Sequence, residues 1–397
     1  MHRRLFLKSV AAAAGALSWR SGLYAAPATD TRFLLVFLRG GYDAANILVP
    51  YSSSFYYESR PTLAIAKPDP ADSKAVLPLT ADWGLHPALK DSLLPLYNQG
   101  QAAFIPFAGT DDLTRSHFET QDSIEFAPPL GGHSNYSSGF LNRLAGVLTG
   151  AHPVAFTNAL PISCKGDVII PNVSLKGVAK KNFADRQAAI LAEMYQNHPL
   201  QKYVQEGMET RQDVVQNLAQ EMEMASRGAI ASQGFASEAQ RMGLLMRDKF
   251  NLGFVDVGGW DTHFNEGGAE GQLANKMAKL GEGLNVFATT LGGALWQKTV
   301  VLVISEFGRT FRENGDKGTD HGHGTVYWLL GGGIKGKQIV GEQLRVEQKM
   351  LLENRDYPVL NDYRNIMGGL FQTQFGLSAG QVQTVFPNAK PVQLGLL

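Results

Sequence analysis

Five apolar residues in succession, Val300 to Ile304, run directly into Ser305-Glu306-Phe307-Gly308-Arg309. A glycine-rich loop follows and ends Thr319-Asp320-His321-Gly322-His323-Gly324-Thr325. A β-branched run with no polar break reads as a strand buried on both faces of a parallel sheet, which needs helices on both sides and so predicts an α/β fold. In open sheets of this kind the working groups lie just beyond the carboxyl ends of the strands. That rule marks Glu306, and the loop after it supplies Asp320, His321 and His323. A carboxylate and two imidazoles so close together suit a divalent metal, and they equally suit a solvated polar loop.

The same pattern recurs along the chain. Phe33 to Leu38 is a fully apolar strand that ends in Arg39-Gly40-Gly41-Tyr42-Asp43, with Asp43 just past the glycine pair. No Gly-x-Gly-x-x-Gly occurs there, so a dinucleotide fingerprint is absent. Ala102 to Phe107 is the next strand and leads to Ser116-His117-Phe118-Glu119. Ser116 with Glu119 three residues on is a capping box, and a hydroxyl at a helix start is also a candidate nucleophile. Leu252 to Val257 delivers Gly258-Gly259-Trp260-Asp261-Thr262-His263. Asp261 and His263 fit one cleft, or a helix cap and an exposed turn. Independent solvated loops have no reason to repeat this chemistry at successive strand ends, and the recurrence favours a shared site.

Other segments carry less. Tyr51 to Arg60 and Lys67 to Ser73 read as surface loop. His86-Pro87 reads as the capped start of a helix running to about Gln99, with Pro87 at its first position. Val154 to Phe156 and Val168 to Val173 are short strand candidates, and His133 lies in a Gly/Ser/Asn-rich loop. From about 180 to 250 the chain turns rich in Ala, Gln, Glu, Met and Arg at helical spacing, which predicts a helical insertion between two halves of the sheet.

Residues 1–28 have the layout of a twin-arginine signal peptide: Arg3-Arg4, then Phe6-Leu7-Lys8, an alanine-rich run and Ala26-Pro27-Ala28. The expected location is periplasmic or extracellular, with the twin-arginine export machinery as a partner. The apolar run is too short for a stable membrane span. Residues 29–397 then form the folded part, about 370 residues, enough for a large α/β domain. Cys164 is the only cysteine, which excludes an intramolecular disulfide and a cysteine-held zinc or iron–sulfur centre. Lys plus Arg equals Asp plus Glu at 36 each, so charge gives no sign of a nucleic-acid partner.

Taken together, Phe37-Leu38-Arg39-Gly40-Gly41-Tyr42-Asp43, Ser116-His117-Phe118, Asp256 to His263, Ser305 to Arg309 and Gly318 to Gly322 resemble domain of unknown function 1501, an exported branch of the alkaline phosphatase-like superfamily. The resemblance implies an alkaline phosphatase-like α/β fold and a hydrolase or transferase of phosphate or sulfate esters, with a small-molecule or glycan ester as substrate. It implies two metal ions, with zinc or manganese suiting the mixed donors better than magnesium or calcium. Asp261, His263 and a late histidine, His321 or His323, would hold one ion. Asp43, Glu306 and Ser116 would serve the other, with Asp320 among the metal-binding residues, Ser116 as nucleophile and Arg309 holding the transferred group. Glu306-Phe307 stands where better-known members carry Asp-His. Cys164-Lys165-Gly166 lacks the context for a formylglycine sulfatase. The alternative is a non-catalytic envelope protein that binds a glycan or protein partner through the same cleft.

Overall fold

The computed structural model describes residues 26–27, 30–128, 137–175, 193–207 and 234–397. The signal segment before residue 26, the His133 loop and most of the helical insertion lie outside the described residues. An eight-stranded sheet organises the rest. Its strands are β1 (Arg32–Leu38), β2 (Ala102–Gly109), β3 (Pro153–Ala155), β4 (Leu252–Val257), β5 (Thr299–Ser305), β6 (Thr325–Leu330), β7 (Gln338–Ile339) and β8 (Asn361–Asp362). The spatial order is β7-β2-β6-β5-β1-β4-β3, with β8 also paired to β2. β5, β1, β4 and β3 run parallel in register, and β6 is antiparallel to both of its neighbours, β5 and β2. This is a mixed α/β architecture with a mostly parallel central sheet.

Alternation along β1 shows why the apolar runs are unbroken. Phe33, Leu35 and Phe37 enter one hydrophobic layer, and Leu34, Val36 and Leu38 enter the other. The first layer is covered by α2 (Phe140–Val147), α5 (Tyr363–Phe375) and α6 (Ala379–Val385), and also takes Ile124 from α1 (His117–Phe126). The second is covered by α3 (Phe235–Asp248) and α4 (Gln272–Leu291), through residues such as Met242, Met246, Met277 and Phe287. Each face of β1 therefore meets its own helical layer, and a strand with two dry faces has no place for a polar residue. Among the described residues no helix is long and apolar enough to cross a membrane.

Three segments differ from expectation. Tyr51 to Arg60 is not a surface loop. Ser54–Ser59 is helical with Ser53 as its cap, and Tyr56 and Arg60 are fully buried. The segment expected as one helix from His86 to about Gln99 is two pieces, a 3-10 turn at Pro87–Leu89 and a helix at Leu93–Asn98. Pro95 explains the break, because proline is accommodated in a first helical turn, where no N–H is needed, and not further in. Val168 to Val173 forms no strand, and Asn172 makes only an isolated bridge to Ala155. Pro171 cannot donate to a ladder there.

His86 caps that 3-10 turn. Its Nδ1 accepts from the Ala88 N–H at 3.0 Å, so Nε2 carries the proton and donates to the Gly268 carbonyl at 3.0 Å. The ring is fully buried, and burial pushes its pKa down to about 4. A depressed histidine pKa means that the unfolded state binds the extra proton first, so stability is lost as pH falls from about 6.5 toward 4. We expect this residue to account for about 3 kcal/mol of acid destabilisation between pH 7 and pH 4. Urea unfolding at both pH values, compared with His86→Asn, measures it. Equal acid sensitivity in the two proteins would rule out the imidazole as the cause.

Candidate functional site

The carboxyl ends of β1, β4 and β5 lie side by side, and the loops that leave them meet there. Gly40 and Gly41, just after β1, have φ of 127° and 61°. A Cβ on Gly40 would stand 2.6 Å from the Asp261 nitrogen, and one on Gly41 would stand 2.4 Å from the Phe307 ring. Both positions combine left-handed backbone with a contact that only glycine permits. The pair lets the β4 loop and the β5 loop close onto the end of β1. The Gly40 N–H then donates to Glu306 Oε1 at 2.8 Å, tying β1 to the first residue beyond β5.

The β5 loop folds back on the segment that leads into β6. Gly308 N–H donates to the His323 carbonyl, Thr310 N–H donates to the Asp320 carbonyl, and Arg309 and His321 form an isolated antiparallel bridge. This places His321 opposite Arg309. Ser116 caps α1, its Oγ accepting from the Glu119 N–H at 3.5 Å, and the next residue, His117, turns toward the sheet.

Three histidines meet at the centre. His321 Nε2 lies 2.9 Å from His117 Nε2 and 3.1 Å from His263 Nε2. The Asp261 carboxylate joins them, with Oδ1 at 2.9 Å from His263 Nε2 and 3.3 Å from His321 Nε2, and Oδ2 at 3.5 Å from His117 Nε2. The other nitrogen of each ring faces an acceptor. His117 Nδ1 is 2.7 Å from Glu306 Oε1, His321 Nδ1 is 3.0 Å from the Arg115 carbonyl, and His263 Nδ1 is 3.2 Å from Asp320 Oδ1. An acceptor at Nδ1 fixes the proton there, so in each neutral ring Nε2 is a bare lone pair. Three such lone pairs and a carboxylate converge, and the Arg309 guanidinium, 2.6 Å from Asp261 Oδ1, offsets part of their charge.

Electrostatics follow the same geometry. The hydrogen bond that His117 donates to Glu306 raises the His117 pKa against the opposing effect of burial. Burial and the charge of His117 lower that of His321. Burial would raise the Glu306 carboxyl, but hydrogen bonds from His117, Gln121 and Ser305 hold it below the usual range. Burial likewise opposes ionisation of Asp261, and Arg309 outweighs it to lower the pKa. Asp320 is lowered by Asn314 and His263 against the same opposition.

The donor set could hold a divalent metal. Ligands of a tetrahedral zinc ion with bonds of 2.0–2.1 Å stand ~3.3 Å apart. Donor atoms of His117, His321 and Asp261 all lie within 4.8 Å of one another, and His263 Nε2 adjoins that group at 3.1 Å from His321 Nε2 and 2.9 Å from Asp261 Oδ1. Each histidine also has the outer hydrogen-bond acceptor that metal-binding histidines use.

Of the residues marked in the sequence, Asp261, His263 and His321 therefore meet directly. Glu306 and Asp320 stand behind His117 and His263 as their acceptors. Ser116 lies next to His117 as a helix cap. Arg309 is buried against Asp261 and also donates to Thr319 Oγ1 and the Thr319 carbonyl, so its guanidinium is held as a strut. His323 is buried apart from this centre, with Arg115, Asp112, Asp111 and Glu353 as its charged neighbours. Asp43 is 1% exposed and forms a two-pronged ion pair with Arg60.

Arg60, Glu266 and His117 carry no mark in the sequence as site residues, whereas Phe307 is marked as the residue in place of a histidine. Glu266 is fully buried, and burial together with the Asp43 carboxylate pushes its carboxyl well above the usual range. Its Oε2 accepts from Thr262 and Thr319, the neighbours of Asp261 and His263 in one loop and of Asp320 in the other. The Phe307 ring packs beside His117 and His321, with centroids 4.9 and 5.2 Å away. His117 did have a signal, because it sits in the same Ser-His-Phe triplet that drew attention to Ser116.

Among solved structures the chain is similar to Ps i-CgsB, at 11% identity and a TM-score of 0.36 over 92% of this chain and 76% of that one. It is also similar to Ps i-CgsB in complex with k-i-k-neocarrahexaose, at 10% identity and a TM-score of 0.35 over the same shares. So loose a likeness assigns no chemistry. No curated protein matches the chain. Residues 30–386 match the family model described as protein of unknown function (DUF1501), and the chain belongs to that family.

Proposed function

We propose that this chain is an exported metal-dependent hydrolase or transferase of phosphate or sulfate esters, on an alkaline phosphatase-like variant of the α/β fold. The observation that carries the reading is the convergence of His117, His263 and His321 through bare Nε2 lone pairs on the Asp261 carboxylate. These four residues would hold one divalent ion, with zinc or manganese favoured by the donor set. When bound, such an ion polarises an ester oxygen and lowers the pKa of a hydroxyl or water beside it. Glu306 and Asp320 orient two of the rings, and Arg309 keeps Asp261 ionised. Ser116 offers its hydroxyl at the amino end of α1, where free backbone amides favour developing negative charge.

The donors expected for a second ion are drawn elsewhere, Asp43 to Arg60 and Glu306 to His117. That observation favours a one-metal centre, and it also supports the second reading, a non-catalytic envelope protein that binds a glycan or protein partner. Periplasmic or extracellular location and passage through the twin-arginine machinery are part of the proposal and rest on residues 1–28. Neither nucleic acid nor a membrane span enters it.

Turnover separates the two readings. Metal-loaded protein is assayed with p-nitrophenyl phosphate, bis(p-nitrophenyl) phosphate and p-nitrophenyl sulfate. The hydrolase reading expects turnover of at least one, reduced by ~10²-fold or more in Ser116→Ala while metal content stays unchanged. Metal-loaded, folded protein that turns over none of them would leave only the binding reading.

A further inference from the structure

Phe118 and Phe264 are 83% and 62% exposed, the first directly after His117 and the second directly after His263. A single exposed phenylalanine is ordinary. Here two occur on separate elements, each one residue from a histidine of the same centre. Consecutive Cα atoms are ~3.8 Å apart, so both residues have their backbone at the rim of the site, and the Phe264 ring lies 6.3 Å from that of His263.

Neither mount is loose. Phe118 lies in the first turn of α1, held by the Ser116 cap and by the Glu306 contact to His117. The Phe264 carbonyl accepts from Gln272, the His263 carbonyl accepts from Asn314, and the Asn265 and Glu266 N–H groups donate to the carbonyls of Asp316 and Lys317. Rigid aromatic rings cost little entropy when they bind, so leaving them in water beside a reactive centre provides a contact surface for a ligand.

We infer that Phe118 and Phe264 form a stacking subsite for a saccharide whose ester group is presented to the His117–Asp261–His263–His321 centre. The inference deepens the reading above and rests on its site. A phenyl ring has no hydrogen-bond handle, so it recognises a flat apolar face, and the axial C–H face of a pyranose is one. The rim around the rings is polar, with Glu119 and Asn265 exposed next to them and Gln272 exposed at the start of α4, which suits the ring hydroxyls. A membrane surface fits less well, because interfacial binding draws on clustered Lys and Arg. Arg115, just before Phe118, and Lys317, whose carbonyl accepts from the Glu266 N–H after Phe264, lie on separate segments, and Arg115 is paired with Glu353 and Asp356.

Binding is tested on the folded, metal-loaded chain by titration with cello-, chito- and maltohexaose and with chondroitin and heparan sulfate hexasaccharides. Phosphatidylglycerol vesicles are the membrane control. At least one hexasaccharide is expected to bind, about tenfold more weakly in Phe118→Ala and in Phe264→Ala, with metal content unchanged in both. Phe118→Leu, which keeps apolar bulk and loses the ring, should behave like the alanine variant. The inference is overturned if no hexasaccharide binds, if binding ignores both substitutions, or if the phenylalanines are needed only for vesicle binding. Metal content and ester turnover of the parent protein are recorded in the same series. Phenylalanine-dependent saccharide binding without turnover would remove the hydrolase and keep the subsite.

Discussion

Protein purified without chelator is expected to carry one divalent ion per chain, and His321→Ala to lose it. His321 is the residue to replace because its Nε2 is within 3.3 Å of His117, His263 and Asp261 alike, so its removal opens the centre of the donor set. Outer partners of metal-binding histidines contribute about 10–100-fold to affinity, and a direct donor should exceed that, so the loss in His321→Ala is put at more than about a hundredfold. Glu306→Gln should fall within the outer-partner range, because it keeps the shape behind His117 and removes the charge.

Two further readouts belong to the same experiment. A metal ion competes with protons for the imidazole nitrogens, so affinity should fall as pH falls and binding should release protons. Calorimetry in buffers of different ionisation enthalpy measures that release. The bound ion should also stabilise the fold, by about 2.7 kcal/mol when free metal is a hundred times the dissociation constant. Elemental analysis decides the central point. An ion retained by His321→Ala, or no ion in the folded parent protein, would remove the proposed centre.

Much of this arrangement was legible in the sequence, and the reason is local. β1, β4 and β5 are unbroken apolar runs because both their faces are covered, and a glycine-rich exit after each marks where the chain leaves the sheet. Asp261, His263, Glu306 and His321 could therefore be placed at strand ends without knowing the strand order. β6 was not recognised, although Thr325 to Leu330 is as apolar as β5. It follows the candidate loop directly and runs antiparallel, an orientation that the pattern does not encode. Roles were harder to read than positions. A carboxylate after a strand looks the same in sequence whether it meets a metal, as we propose for Asp261, or fixes a histidine, as Glu306 does. Only the long-range partners separate these cases, and His117 to Glu306 spans 189 residues of chain. Arg60 was missed for the same reason, since a charged residue in a polar stretch reads as surface until its buried partner is known.

That buried pair is the subject of the second large expected effect. Asp43→Ala should destabilise the fold by about 3–5 kcal/mol, because it leaves a fully buried guanidinium without its counter-charge. Arg60 is 0% exposed, is paired through two nitrogens with Asp43, and also donates to the Phe311 and Thr310 carbonyls. Its neighbour Glu266 cannot take over without cost, since burial and Asp43 push that carboxyl well above the usual range. Removing Asp43 would favour ionisation of Glu266 beside Arg60, and part of the loss should then be recovered as pH rises. Urea unfolding at pH 6 and pH 8 measures both effects. The same variant separates two roles for Asp43. As a direct ligand it would take the metal with it when replaced. As the partner of Arg60 it supports the centre only through Glu266, which holds Thr262 and Thr319 in place, so folded Asp43→Ala should still bind one ion with affinity reduced by about 10–100-fold. A variant as stable as the parent protein that no longer binds metal would return Asp43 to the ligand set.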